Sequence, residues 1–430
     1  LSPRLSAEAQ VPRAESREPR AESGDGSDLT VYLLTMGPGD LVWEKFGHNA
    51  IAIEDRRTGE TTAWNWGLFD FDQADFIPRL ARGEMKYWMA GMDAQWMLRQ
   101  YAAANRSVWV QELNLTPAQR LELLRFVRWN EQDAHKYYRY DYYADNCSTR
   151  ARDVLDRVIG GQLRAATDTV NAGTTFRQET RRLVADDLPT YLGIMLALGR
   201  PADQPISVWD DMFLPMRMRD AVRGIQVRQP DGTVVPLVKS ERQWFTAQRA
   251  PEPARAPGIR WGFAVTGLLL AALLLALAEG ARRGVRGTRG VLAALGGVWC
   301  FAAGVAGVLL LYVRFGTGHV FMWSNANALL FTPLSLFLLW AFPRRARRRP
   351  GRVVVPVAAL VVGLALAGTV VMLLPGIDQR SAELAMLALP VHLAILVAVI
   401  RLRPRTAALT APVTAVSDSV SMAGVSSSWS

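Results

Sequence analysis

Two side chains in the first half of this 430-residue chain carry the groups needed for acyl chemistry, a thiol and an imidazole. Cys147 lies in DNCSTRARDVLDRVIGG. Asp145 or Asn146 can cap a helix there, Ala151, Val154, Leu155 and Val158 share one face, and Gly160 and Gly161 end it. A thiol in the first turn sits among unpaired amides at the positive end of the helix dipole. That position is expected to lower its pKa toward the thiolate. The same amides can hold the oxyanion that forms when a carbonyl is attacked. A base must take and return the proton. His48, in EKFGHNAIAI, lies at the start of a predicted strand. His135 falls in a polar stretch after a helix, which leaves His48 as the base by elimination.

A third polar group should orient the imidazole. Asn65, in the aromatic strand TTAWNWG, is the first choice, with Glu44 and Asp70 as alternatives. Asn146 and Tyr142 are candidates for the cap and the oxyanion. Tyr138, Tyr140 and Tyr143 stand in the same stretch, and of these four tyrosines at least one is a candidate oxyanion donor, with packing as the plainer reading. Each feature also has a plainer reading. A single thiol in a domain of this size is commonly inert core, and Trp43, Trp64, Trp66, Trp88 and Trp96 either line a substrate groove or fill the core.

The elements that must position these groups are short strands at 31–35, 50–53, 61–66 and 108–113, rich in branched and aromatic residues. Thr116, Pro117 and Gln119 start a helix with a hydroxyl cap and proline at the first position. From 167 to 248 the pattern is mixed, with a hairpin expected at Asp231-Gly232. This stretch is expected to pack the domain against the membrane. Residues 1–28 have too little apolar content to fold and read as a disordered arm. The folded domain is assigned to 29–250.

The second half is of another kind. Apolar runs at 262–278, 291–313, 328–342, 353–374 and 384–400 approach the roughly 20 residues needed to cross a bilayer. They predict an all-α polytopic membrane domain of about five transmembrane helices over 261–403. Of the 49 basic and 39 acidic residues, 34 and 35 precede residue 261 and 15 and 4 follow it, so the whole basic excess belongs to the apolar half. Arginine clusters between greasy runs mark cytoplasmic loops, not a nucleic-acid surface. Arg282, Arg283, Arg286 and Arg289 follow run one, and Arg344, Arg345, Arg347, Arg348, Arg349 and Arg352 follow run three. Arg401, Arg403 and Arg405 follow run five. With five crossings the C-terminal tail, 404–430, is cytoplasmic and the N-terminal domain lies outside. The first residue is not Met, so the genuine start of synthesis is expected elsewhere, and any cleaved signal peptide would lie upstream. Cys300 falls in an apolar run and is not expected to pair with Cys147. Two cysteines give no disulfide framework and no zinc spacing, and neither a metal nor a cofactor is expected. The outer loop RFGTGHVFMWSNANALLF brings His319, Asn325 and Asn327 to the membrane edge. Polar groups there are either functional or satisfy loop backbone.

KFGHNAIAIED, NWGLFDF, NRSVWVQELNLT and YRYDYYADNCSTRARDVLD together resemble the bacterial Lnb N-terminal periplasmic domain family. The resemblance is strong over about 29–160, and TGHVFMWSNANALLFTPL resembles that family's membrane part. The family is in turn similar to circularly permuted papain-like hydrolases, which include lecithin–retinol acyltransferase-like enzymes. In that branch a strand His precedes an Asn-Cys at a helix start, the order of His48 and Asn146-Cys147. The implied fold is α+β, a small antiparallel sheet with the Cys helix packed on it. The implied function is cysteine-dependent hydrolysis or acyl transfer at the outer face of the bacterial inner membrane. The bilayer and an envelope lipid, lipoprotein or cell-wall peptide are the expected partners. The rival expectation is a non-catalytic periplasmic module that helps another envelope protein mature. A transporter using His319 and Asn325 would need an inverted repeat that the sequence does not display.

Overall fold

The structure is a computed structural model that describes residues 24–70, 78–79, 82–255, 260–346, 353–377 and 379–402. The expected tail at 404–430, and the expected arm as far as residue 23, lie outside the described residues. The N-terminal domain runs β1 (Leu29–Met36), β2 (His48–Asp55), β3 (Glu60–Leu68), β4 (Lys86–Asp93), α1 (Ala94–Ala103), β5 (Val108–Leu113), α2 (Pro117–Asn130), β6 (Tyr137–Arg139) and α3 (Cys147–Val158). It continues with β7 (Asn171–Thr175), α4 (Phe176–Val184), α5 (Leu188–Ala197), β8 (Pro205–Ser207), α6 (Pro215–Gly224), β9 (Gln226–Arg228), β10 (Val234–Pro236) and β11 (Val238–Phe245).

Seven strands form one sheet in the order β11-β5-β1-β2-β3-β4-β6, each antiparallel to its neighbours. Alternation along the strands divides the apolar residues between two faces. Val31, Leu33, Ile51, Ile53, Trp64 and Trp66 pack with Leu123 and Val127 of α2 and Ala151, Val154 and Leu155 of α3. Leu34, Met36, Ala50, Ala52 and Ala63 pack with Met97 and Leu98 of α1. Helices therefore cover both faces, and Trp64 and Trp66 belong to the core. The four predicted strands are present. The sheet is larger than expected because β6 has only three residues and β11, VKSERQWF, is too polar to stand out in a sequence. The predicted hairpin is β9–β10, turning through Gly232 at φ +88°.

Among the described residues, four helices are long and apolar enough to cross a membrane: α7 (Arg260–Arg283), α8 (Thr288–Gly316), α11 (Val354–Leu373) and α12 (Ala382–Arg401). The third apolar run does not form the expected fifth span of that kind. It is divided into α9 (Asn327–Leu330) and α10 (Leu334–Ala346). Pro333 lacks an N–H and disfavours helical geometry at Thr332, which breaks the run there. The 13 residues of α10 rise only about 20 Å.

The two halves meet at α5, an apolar helix of sequence LPTYLGIMLA. Tyr191 and Met195 of α5 share an apolar cluster with Phe263 of α7, Phe46, Tyr143 and Phe213, and Leu387 of α12 packs against it. The mixed stretch after 167 thus does pack against the membrane helices.

Candidate functional site

Cys147 is the first residue of α3. The chain enters this helix through a fully engaged cap. Asn146 Oδ1 accepts from the Ser148 and Thr149 amides at 2.8 and 2.9 Å, and the Thr149 hydroxyl accepts from the Asn146 amide at 2.7 Å. The other end of the Asn146 side chain, Nδ2, donates to the Tyr142 and Phe213 carbonyls at 2.8 and 3.0 Å. All its hydrogen-bonding capacity is occupied, so Asn146 aims the helix start and has no donor left for an oxyanion. Ser148 then pins the first turn to the sheet, its hydroxyl lying 2.8 Å from Asn49 Oδ1 and 2.6 Å from the Met212 carbonyl.

His48 opens β2, opposite Met36 of β1. Asn65 pairs with Ala50 across β2 and β3, so His48, two residues before Ala50, is its diagonal neighbour on the same face. His48 Nε2 and Asn65 Oδ1 are 3.0 Å apart. The Asn65 amide is fixed the right way round because its Nδ2 donates to the Ala63 carbonyl at 3.1 Å. An oxygen facing Nε2 makes that nitrogen the donor and leaves Nδ1 as the free base. Of the three orienting candidates, Asn65 therefore holds the ring. Glu44 instead faces Arg106 at 3.6 Å.

The thiol and the imidazole approach one another through shared neighbours. The Asn49 amide, next in the chain to His48, donates to the Cys147 thiol. Tyr101 stacks on the His48 ring with centroids 6.0 Å apart and lies within electrostatic reach of Cys147. Among the described residues, Cys147 and His48 are not hydrogen-bonded to each other. Contacts of this kind in unliganded sites commonly tighten only when substrate binds.

The electrostatics correct one expectation. Cys147 is only 9% exposed, and burial pushes its thiol up. The amides of Asn49, Ser148 and Cys147 and the Arg106 charge pull the other way and lose. A helix start favours a thiolate only so far as the thiolate is not stripped of water. Burial pushes the His48 imidazole down to about 4, with Arg106 acting in the same sense and the Asn65 bond opposing. Thiol and imidazole are both neutral at pH 7, and they do not form a standing ion pair.

Sequence reasoning missed Arg106, Asn49 and Gly67. Arg106 is buried, donates to the Gly37 carbonyl at 2.9 Å and lies over the Tyr101 ring at 4.7 Å. Nothing local marks it. Gly67 does have a signal, a glycine inside a strand pattern. Its φ is +87°, and it sits where the register of β3 against β4 slips. Tyr142 keeps a buried hydroxyl without a hydrogen-bond partner among the described residues, and its ring packs edge-on to Phe46 at 4.7 Å.

The outer-loop candidates lie elsewhere. The His319 ring sits against Gly83, 2.8 Å from where a side chain there would begin. Asn325 Nδ2 donates to the Leu196 and Ala197 carbonyls, both at 2.9 Å, and Asn327 Nδ2 to those of Met195 and Leu196 at 3.2 and 3.0 Å. Both asparagines therefore satisfy the free C-terminal carbonyls of α5, the backbone role of the two weighed from sequence. The sequence did not single out His392. Its Nε2 lies 3.1 Å from the Leu330 carbonyl that the break after α9 leaves free.

An α/β domain with an Asn-capped cysteine helix, tied to a helical bundle with bilayer-length spans, defines a membrane protein with a folded extramembrane head. Residues 17–185 match the model of the Lnb N-terminal periplasmic domain, and residues 263–403 match that of the Lnb transmembrane domain. Together the two matches cover most of the chain, and it belongs to the Lnb family, with its N-terminal domain periplasmic. The first match begins before the expected boundary at 29. No curated protein and no solved structure matches the chain.

Proposed function

We propose that the periplasmic domain is a cysteine-dependent hydrolase or acyltransferase acting on an amide or ester of an envelope lipid, lipoprotein or cell-wall peptide. The observation that carries this reading is the His48 Nε2–Asn65 Oδ1 contact of 3.0 Å, in the sheet against which the Cys147 helix start is pinned. A buried imidazole held through Nε2 presents Nδ1 as a base, which an inert core histidine has no need to do. In the permuted papain-like scheme, Cys147 Sγ attacks the carbonyl carbon while its proton passes to His48 Nδ1. The tetrahedral oxyanion collapses, and the leaving amine or alcohol departs with the His48 proton. Water or an acceptor amine or hydroxyl then gives a proton to His48 and attacks the thioester. The product is released and the thiol is restored. Because both groups are neutral at rest, the proton moves during attack.

The apolar cluster joining the domain to α7 and α12 supports a substrate drawn from the bilayer surface. We further propose residence in the bacterial inner membrane with a cytoplasmic C-terminus, which requires α9 and α10 together to serve as a crossing. The test is mass spectrometry of the full-length protein after exposure to an activated acyl ester. An acyl adduct on Cys147, absent in Cys147→Ala and strongly slowed in His48→Ala, is the expected result. Full ester turnover in Cys147→Ala would end the proposal.

A second reading, a non-catalytic module that binds an envelope partner, is favoured by the burial of Cys147 and its raised pKa. It expects no acyl adduct, and alkylation as slow in the wild type as in His48→Ala.

A further inference from the structure

Gly67 leaves a space beside Cys147 that another side chain borders. A side chain starting at Gly67 would begin 3.5 Å from Cys147 Cβ, 3.4 Å from Tyr140 Cε2 and 3.8 Å from the Tyr138 hydroxyl. The nucleophile's β-carbon and the Tyr138 hydroxyl thus line one gap. Tyr138 is held there from both sides. It pairs with Tyr87 across β6 and β4, and the Arg150 guanidinium, itself paired with Asp145, lies 4.2 Å from its ring centroid. Its hydroxyl is buried and has no hydrogen-bond partner among the described residues. A buried donor without an acceptor is costly, and a carbonyl oxygen entering the gap would supply one.

We propose that the Tyr138 hydroxyl donates a hydrogen bond to the carbonyl oxygen of the bond that Cys147 attacks, and holds the oxyanion of the tetrahedral intermediate. Gly67 keeps the space for that oxygen open. The inference rests on the reading of Cys147 as nucleophile and adds the residue that stabilises charge on the substrate. Burial raises the hydroxyl's pKa well above its ordinary value, so it stays protonated and can donate throughout the cycle. Asn146, whose donors are all engaged, cannot take this role. Tyr142 also has a partnerless hydroxyl, but its ring is packed between Phe46 and Phe213 in the junction cluster.

The experiment compares two reactions of the full-length protein in nanodiscs. Iodoacetamide alkylates the thiol without forming an oxyanion, whereas 4-nitrophenyl acetate acylates it through one. Tyr138→Phe is expected to leave alkylation within about twofold and to slow acylation about 100-fold, the scale of losing one oxyanion donor. Equal losses in both reactions would show that the hydroxyl only maintains the site, and no loss in acylation would show that it does nothing; either overturns the proposal. A selective acylation loss in Tyr142→Phe, with Tyr138→Phe unaffected, overturns it in favour of Tyr142. If Cys147→Ala still turns over the ester at the wild-type rate, the nucleophile reading itself fails, a result distinct from the others.

Discussion

Ser148, the residue after the candidate nucleophile, meets Asn49, the residue after the candidate base, with Oγ 2.8 Å from Oδ1. Asn49 Nδ2 in turn donates to the Leu34 carbonyl and the Thr35 hydroxyl at 3.2 and 2.8 Å. One buried side chain thus ties the helix carrying Cys147 to the strand carrying His48 and to the next strand beyond it.

Removing that tie should cost both stability and alignment. Asn49→Ala takes the Nδ2 donor from the Leu34 carbonyl and the Thr35 hydroxyl and leaves the Ser148 hydroxyl with the Met212 carbonyl alone, and is expected to destabilise the domain by about 2 kcal/mol. Acylation of Cys147 should fall at least tenfold because the nucleophile loses its aim. Denaturant unfolding and acylation kinetics measured together check both. Wild-type acylation in a destabilised Asn49→Ala protein would show that the tie is structural only.

The depressed His48 pKa sets a pH window. Between 6.5 and about 4 the unfolded imidazole takes up a proton and the folded one does not. The unfolded state is therefore favoured as pH falls, and this part of the stability is fully present above 6.5 and lost down to about 4. His48→Gln should flatten the stability profile across that window. The acid limb of acylation should follow the folded value, with the rate still high at pH 5. An acid limb at 6.5 would mean an exposed, unperturbed imidazole.

The thiol predicts the opposite slope. Burial raises the Cys147 pKa above the ordinary thiol value of 9.0. Iodoacetamide alkylation of the resting protein should therefore keep rising to pH 9 and beyond, with no plateau in the acid range. A midpoint near 6 would reveal a thiolate–imidazolium pair and contradict the neutral resting state.

Gly67→Ala introduces two penalties at once. Its φ of +87° disfavours any side chain, at about 1–3 kcal/mol. The added carbon would also enter the gap between Cys147 and Tyr138. Thermal unfolding should occur a few degrees lower, and acylation should be nearly abolished while the far-ultraviolet circular dichroism stays native. Unchanged acylation would show that the gap is not where substrate sits.

The head and the membrane bundle should separate when their polar dock is cut. Asn327→Ala removes one of two donors from each of the Met195 and Leu196 carbonyls, leaving Arg177 and Asn325 on them, and takes the Oδ1 acceptor, at 3.0 Å, from the Ser381 hydroxyl. The Gly199 amide, which donates to the Phe321 carbonyl at 2.9 Å, should then exchange at least tenfold faster with solvent deuterium. Unchanged exchange there would show that the apolar contacts around Tyr191 and Phe263 hold the junction alone.

The sequence alone determined what depends on neighbours along the chain. The helix start at Cys147 with Asp145 or Asn146 as its cap, the capping box at Thr116, the turn at Asp231-Gly232 and the four long apolar runs were all legible because cap chemistry, turn chemistry and hydropathy act within a few residues. It also placed Asn65 among three candidate partners for His48, but the choice among them needed the register of β2 against β3. Tertiary structure decided the rest. Whether the helix start yields a thiolate depends on how much water reaches Sγ, which is set by chain segments far from Cys147. Arg106 acts on both candidate groups only because folding brings it beneath Tyr101. The division of the third apolar run at Pro333 is local, but that the freed Leu330 carbonyl finds His392, and that Asn325 and Asn327 find the end of α5, are facts of packing between remote segments. No periodicity or short motif in the sequence encodes such contacts.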